Sequence, residues 1–178
     1  AIDLAGHLKL NKLIVLFDDN GITIDGHTDL STSVDQVARF KASGWNAERV
    51  DGLDPEAVAA AIERARNSDR PSLIACKTII GYGAPTKADS HASHGSALGD
   101  KEIAGAREAL GWPYAPFEIP DDVYADWHGA AAKLAAPRTE WEARLAATDA
   151  AVRSEFERRM KGELPAGLDA AIDAYKKT

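Results

Sequence analysis

Residues 13–26, with the sequence LIVLFDDNGITIDG, constrain the fold of this chain more than any other stretch. Residues 13–17 are all apolar, as expected of a strand buried on both faces of a sheet, and they lead directly into a turn of carboxylates, an amide and glycines. Ligands of open parallel sheets bind at the edge where the carboxyl ends of the strands meet. The polar turn is therefore the first candidate for a binding site.

The pattern of the first 80 residues predicts an α/β fold. Helical and strand signals alternate along the chain, in this order: a short helix at 2–10, the strand at 13–17, a helix capped from Ser33 and running to Gly44, a weaker strand at 45–50, a helix opened by Asp54-Pro55, and a strand at 72–80. Strands that alternate with helices are typical of a parallel sheet with right-handed crossovers.

The second half of the chain is predicted to be a long loop followed by helices. Residues 81–99 hold four glycines, two histidines and a proline without periodicity, and a loop this long is usually functional or disordered. Helical patterns return at 100–110, 121–135, 138–160 and 168–177, with a proline-containing connector at 112–120. Trp141, Leu145, Val152 and Phe156 share one face if 138–160 is a single helix.

Charge and cysteine content exclude several classes of function. The formal net charge of −7 gives no basic surface for nucleic acid or an anionic membrane, so a bound phosphate would need a local device such as a metal. The one cysteine, Cys76, ends an apolar run, which predicts a buried structural thiol and a reducing cytoplasm as the natural compartment. No apolar stretch has membrane-spanning length.

The Asp18-Asp19-Asn20 turn is compatible with two interpretations from its residues alone. An EF-hand loop that starts at Asp18 requires glycine at its sixth position, where Thr23 stands. A strand-end aspartyl phosphotransferase needs two aspartates separated by one residue, whereas Asp18 and Asp19 are adjacent and point to opposite sides of the strand. A purely structural turn, which the local pattern favours, remains as one interpretation of these residues. So does a site for Mg²⁺ or Ca²⁺, built from the Asn20 amide oxygen and a carbonyl of the irregular backbone near Gly21, with a carboxylate from elsewhere.

His91 and His94 are the other candidates for chemistry. Their spacing of three could suggest zinc on a helix, but the neighbouring glycines argue against a helix and no third zinc ligand lies nearby. A loop histidine is most often a surface or turn residue. The functional alternative is an imidazole that carries a proton at the mouth of a site.

Several separated stretches, in this order and spacing, resemble the transketolase family. The stretches are AGHLKL at 5–10, LIVLFDDNGITIDG at 13–26, KTIIGYG at 77–83, SHASHG at 90–95, LGW at 110–112, FEIP at 117–120 and RRMKGELP at 158–165. They cover almost the whole chain. Separated motifs in register are far more specific than one short pattern.

The resemblance implies an activity, a cofactor and site residues. Transketolases use thiamine diphosphate and a divalent metal to move a two-carbon ketol unit between sugar phosphates, and the complete enzymes are homodimers. By similarity, the site residues are Asn20 and the Ile22 carbonyl on Mg²⁺ (or Ca²⁺), Asp18 near the diphosphate, Ile24 and Ile80 against the cofactor rings, and His94 against cofactor and sugar, where it helps to handle protons. His91 matches that role less well.

The chain also departs from the family pattern. It has no counterpart of the Gly-Asp-Gly motif that supplies the metal carboxylate, or of the pyrimidine-binding domain with its ylide-promoting glutamate. The resemblance therefore predicts a fragment: a partial thiamine-diphosphate-binding domain with a three-layer parallel sheet at 1–112 and a helix-rich linker at 113–178, without ketol transfer on its own. The alternatives are a related enzyme such as dihydroxyacetone synthase and an inactive interaction or regulatory module.

Overall fold

A computed structural model describes the whole chain, residues 1–178. The chain forms two compact units, Ala1–Pro113 and Tyr114–Thr178. The candidate site residues all belong to the first unit.

The first unit contains a three-stranded parallel sheet. Its strands are β1 (Ile14–Asp19), β2 (Asn46–Asp51) and β3 (Ser72–Lys77), in the order β1-β3-β2. Ser72 pairs with Ile14 on one side and with Asn46 on the other, so all three strands end at the same edge. The prediction of an α/β fold with a parallel sheet is confirmed.

Helices cover both faces of this sheet and make three layers. The helices of the unit are α1 (Ile2–His7), α2 (Gln36–Ala42), α3 (Pro55–Arg66) and α4 (Asp100–Ala109). On one face, residues of α1 and α2 pack around Trp45, Ala47 and Leu73. On the other face, α3 packs on Ile74 and Cys76. The successive residues of β3 therefore point alternately into two apolar layers, as the period of a strand requires.

Aspartate side chains cap the N-termini of two of these helices. Asp54 accepts hydrogen bonds from the amides of Glu56 (2.9 Å) and Ala57 (3.1 Å), and proline follows it at the first helical position, as predicted. The predicted cap of α2 at Ser33 is wrong. Asp35 caps α2 instead, accepting from the amide of Ala38 at 3.2 Å, because α2 begins only at Gln36.

The prediction that residues 13–17 form a strand buried on both faces is wrong for β1. Leu16 is 51% exposed and Phe17 is 36% exposed. The reason is topological: β1 pairs with β3 alone and is an edge strand, whereas β3 has a neighbour on each side and is buried from Ser72 to Cys76. Further apolar side chains near this edge are also exposed, namely Leu4, Leu8, Leu10 and Leu13.

The second unit consists of helices. They are α5 (Asp121–Lys133), α6 (Ala135–Ala147), α7 (Ala150–Met160) and α8 (Leu168–Tyr175). No helix of the chain is both long and apolar enough to cross a membrane.

The prediction of one helix at 138–160 is wrong, because the chain turns between α6 and α7. Asp149 caps α7 by accepting hydrogen bonds from the amides of Ala151 (2.9 Å) and Val152 (3.2 Å). The ring centroids of Trp141 and Phe156 lie 6.3 Å apart. In a continuous helix these residues would be separated by about 22 Å along the axis, so α6 and α7 fold back on each other.

The open edge of β1 predicts that the 178-residue chain self-associates as its concentration rises. An unpaired strand edge with exposed leucines invites pairing with a second copy, and lysine on an edge strand opposes such pairing. We expect the mass measured by light scattering to increase with concentration for the natural sequence and to increase much less for Leu16→Lys. Leu53→Lys, a change at a residue that is 41% exposed after β2, is the matched control. A monomer at all concentrations would contradict this prediction.

Candidate active site at the carboxyl edge of the sheet

The carboxyl ends of β1 and β3 bring Asp18 and Thr78 together. Asp18 is paired with Cys76 in the parallel register, and Thr78 lies two residues beyond Cys76 on the same face. The Thr78 hydroxyl donates a hydrogen bond to Oδ1 of Asp18. Asp19 faces the other side of the sheet, where it forms an exposed ion pair with Arg49 at 3.3 Å. The two adjacent aspartates therefore have separate environments.

Asp18 is also hydrogen-bonded to the turn that follows β1. The Asn20 amide nitrogen donates to Oδ2 of Asp18 at 3.3 Å, and the Ile22 backbone amide donates to Oδ1 of Asn20 at 3.0 Å. A continuous chain of hydrogen bonds thus runs from Thr78 through Asp18 and Asn20 to Ile22. We call these four residues the Asp18 network.

A tight hairpin turn holds the Ile22 end of this network. Gly21 has a φ of +74°, a conformation that glycine adopts at low cost, and its carbonyl accepts a hydrogen bond from Thr28 at 2.9 Å. Thr23 donates its amide to the Gly26 carbonyl at 2.7 Å. Ile22 is only 7% exposed, so its backbone is fixed by packing as well as by hydrogen bonds.

The oxygen atoms of this turn fit part of a site for a hard cation. Oδ1 of Asn20 keeps a second lone pair beside the hydrogen bond from Ile22, and the Ile22 carbonyl accepts no hydrogen bond from the chain. Mg²⁺ and Ca²⁺ prefer such oxygen ligands. No cluster of three histidine, cysteine or acidic residues suited to a metal exists in the chain, so two neutral oxygens are what this turn offers.

The two isoleucines predicted to contact the cofactor lie in the segments that follow β1 and β3. Ile24, at the tip of the turn, is 67% exposed. Ile80 is partly exposed and lies three residues beyond β3, where its carbonyl accepts a hydrogen bond from the Asp89 amide at 2.9 Å. Both positions offer apolar surface at the carboxyl edge.

The loop at 81–99 is ordered by polar contacts, which its composition did not predict. Glu102 of α4 accepts hydrogen bonds from the amides of Thr86 (3.0 Å) and Lys87 (3.3 Å). The hydrogen bond from the Thr86 hydroxyl is the main cause that lowers the pKa of Glu102. The Lys87 ammonium group donates to the Leu98 carbonyl at 2.8 Å and so connects the middle of the loop with its C-terminal end.

This loop carries His94 at the surface. His94 follows a 3₁₀ turn at His91–Ser93 and donates its backbone amide to the His91 carbonyl at 2.9 Å. Its side chain is exposed, and its imidazole makes no hydrogen bond or ion pair. Hydrogen bonds thus join Asp18, Asn20 and Ile22, and none joins His94 to the Asp18 network.

Comparison with known protein families identifies the chain. Residues 1–165 match the family described as transketolase, thiamine diphosphate binding domain. The chain belongs to the transketolase family. The resemblance predicted from the sequence motifs is therefore confirmed.

Relatives and solved structures of transketolases show the same likeness. A transketolase of Sinorhizobium medicae is 57% identical over 166 residues, which cover 92% of this chain and 24% of that protein. The solved transketolase of Leishmania mexicana has a TM-score of 0.87 at 35% identity and covers 95% of this chain and 26% of its own. A Pichia stipitis transketolase in complex with sedoheptulose 7-phosphate has a TM-score of 0.84 at 33% identity, with coverage of 96% and 26%.

The chain thus spans about a quarter of the length of the transketolases that it matches.

Thr78 is the residue of the Asp18 network that sequence reasoning missed. A signal for it does exist, because the register that pairs Asp18 with Cys76 places Thr78 beside Asn20, but the pairing of β1 with β3 must be known first.

Cys76, on the Asp18 side of β3, is predicted to react slowly with thiol reagents. The thiol is 8% exposed, and its pKa is raised first by burial and second by the negative charge of Asp18. Since thiolate is the reactive form, we expect slow labelling near neutral pH and fast labelling in urea. Asp18→Asn should move the onset of labelling to lower pH, whereas Asp19→Asn, which alters the other face, should not. Equal labelling rates in the folded and urea-unfolded chain would contradict this.

Proposed function

We propose that residues 1–178 act as part of a transketolase, which moves a two-carbon ketol unit from a ketose phosphate to an aldose phosphate with thiamine diphosphate and a divalent cation. The observation that supports this proposal is the Asp18 network, because it orients the Asn20 amide beside the Ile22 backbone at the carboxyl edge of a parallel sheet in a chain of the transketolase family. The helical residues 113–178 serve as the linker to the next domain in this proposal.

The divalent cation, Mg²⁺ or Ca²⁺, is held by Asn20 and the Ile22 carbonyl in this proposal. The chain carries a formal net charge of −7 and Asp18 forms no ion pair, so a cation would offset the repulsion between Asp18 and a diphosphate. A carboxylate from another part of the enzyme and the diphosphate itself complete the coordination. Since the two protein oxygens are neutral and too few on their own, we expect no ketol transfer by these 178 residues alone.

Asp18, Ile24 and Ile80 position the cofactor. Asp18 lies beside the diphosphate and holds Asn20, while the two isoleucines pack against the rings, which removes the exposed Ile24 side chain from water. When held by these residues, thiamine diphosphate would supply the nucleophilic and electron-accepting chemistry that carbon–carbon cleavage needs.

His94 contacts the sugar and moves a proton at the reacting oxygen. Its imidazole is exposed and free of hydrogen bonds within the chain, so both nitrogens remain available to a ligand. The complex of the Pichia stipitis transketolase with sedoheptulose 7-phosphate supports a sugar phosphate as the substrate. A cytoplasmic homodimer is the assembly that we propose for the complete enzyme.

A chimera tests the proposal directly. In the Sinorhizobium medicae transketolase, the matching segment is replaced by the residues of this chain, and ketol transfer is measured at increasing Mg²⁺ concentrations. We expect turnover that depends on the cation, and we expect Asn20→Ala to raise the cation concentration needed by more than about tenfold, because it removes a ligand. Asn46→Ala, at the opposite edge of the sheet, is the matched control and should leave the requirement unchanged. A folded but inactive chimera would contradict the proposal.

Substitutions of the two loop histidines distinguish a proton-transfer role of His94 from a structural role. In the active chimera, His94→Ala should lower kcat by about 10²–10⁴-fold, the usual contribution of a positioned acid or base, with little change in cation or cofactor affinity. His91→Ala changes an exposed histidine three residues away and should retain activity. If His91→Ala lost activity and His94→Ala did not, the assignment of His94 would be wrong.

A further inference from the structure

We infer that Thr78 is a positioning residue for the cation site, because it holds Asp18 in the orientation that fixes the amide of Asn20. This inference rests on the proposed role of Asn20 and Ile22 as cation ligands. Thr78 itself is two hydrogen bonds away from the nearest proposed ligand atom.

The carboxylate of Asp18 connects two donors. Its Oδ1 accepts from the Thr78 hydroxyl and its Oδ2 accepts from the Asn20 amide nitrogen at 3.3 Å. Asp18 forms no ion pair, although it is exposed. These two hydrogen bonds are therefore what determines the orientation of the carboxylate.

The orientation of the Asn20 amide decides whether it can bind a cation. A carboxylate only accepts hydrogen bonds, so Asp18 selects the nitrogen end of the amide and leaves Oδ1 toward the Ile22 amide at 3.0 Å. The reversed amide would set its oxygen against the carboxylate and its NH₂ group against the Ile22 N–H. Both contacts would be repulsive, and the cation would lose its oxygen ligand.

Packing fixes the Thr78 side chain and makes it suitable for this task. A Cβ on Gly52 would lie 2.6 Å from Cγ2 of Thr78, so the methyl group of Thr78 fills the space that the glycine leaves free. Gly52 is itself tied to β3, since its amide donates to the Lys77 carbonyl at 2.8 Å. Because the methyl group of Thr78 is held there, this β-branched side chain has one preferred rotamer, and in that rotamer its hydroxyl points to Asp18.

Thr78 also links the site to β3, the central and most buried strand of the sheet. β3 is buried from Ser72 to Cys76 and is paired on both sides, whereas β1 is an edge strand with exposed side chains. The hydrogen bond from Thr78 to Asp18 thus restrains the end of β1 from the central strand. Without it, the Asp18 carboxylate would keep only its hydrogen bond from Asn20, and the orientation of the Asn20 amide would depend mainly on the Ile22 N–H.

The first test uses the 178-residue chain without any ligand. Thr78→Val keeps the methyl contact with Gly52 and removes the hydroxyl, while Thr78→Ser keeps the hydroxyl. The NMR signals of the Asn20 side-chain amide, assigned by their absence in Asn20→Ala, should exchange with water faster and shift toward free asparagine in Thr78→Val. In Thr78→Ser they should resemble the natural sequence. Unchanged Asn20 signals in Thr78→Val would overturn the inference.

The second test measures the dissociation constant of Mg²⁺ in the chimera with thiamine diphosphate. Loss of a partner that orients a metal ligand typically weakens metal binding by 10–100-fold, so we expect an increase of about this size for Thr78→Val and about threefold or less for Thr78→Ser. Thr28→Val is the matched control, because the Thr28 hydroxyl makes no hydrogen bond in the same turn.

The outcomes separate this inference from the proposed function. If the unsubstituted chimera binds Mg²⁺ and Thr78→Val binds it equally well, the positioning role is wrong and the proposed function stands. If the unsubstituted, folded chimera binds no Mg²⁺, the cation site is wrong and the inference fails with it.

Discussion

The pairing of β3 with both neighbouring strands is the interaction on which this structure depends. Leu73 and Ile74 of β3 enter the two apolar layers on opposite faces, so one strand connects α1 and α2 with α3. The same parallel register carries Asp18 and Thr78 to one edge of the sheet. Sheet pairing therefore creates the core and the candidate site together, and a change of register would destroy both.

The chemistry that we propose for the site depends on cation ligands that the turn after β1 does not supply. The two ligands that we propose, the Asn20 amide oxygen and the Ile22 carbonyl, are neutral, Asp18 accepts hydrogen bonds from two donors, and the chain as a whole is acidic. In the proposed function, a diphosphate binds here together with a cation, and the cation needs further oxygen ligands. The proposed site is therefore a shared one, to which this chain contributes orientation and part of the coordination.

The sequence predicted the α/β order and the polar turn, but several features depended on tertiary pairing. The apolar run at residues 13–17 does not reveal whether β1 has one neighbour or two, so its exposure was not predicted. The stripe of Trp141 and Phe156 suits one long helix as well as two packed helices, and the cap at Asp149 decides between them. Local patterns at Asn20 were compatible with a cation site but favoured a structural turn, and the family motifs reversed that preference.

Anomalous diffraction from crystals of the chimera with thiamine diphosphate and Ca²⁺ tests the central claim most directly. We predict one anomalous peak that is contacted by Oδ1 of Asn20 and the carbonyl oxygen of Ile22, each at about 2.3–2.6 Å. A cation coordinated elsewhere, or an Asn20 amide that turns its nitrogen toward the peak, would contradict the account.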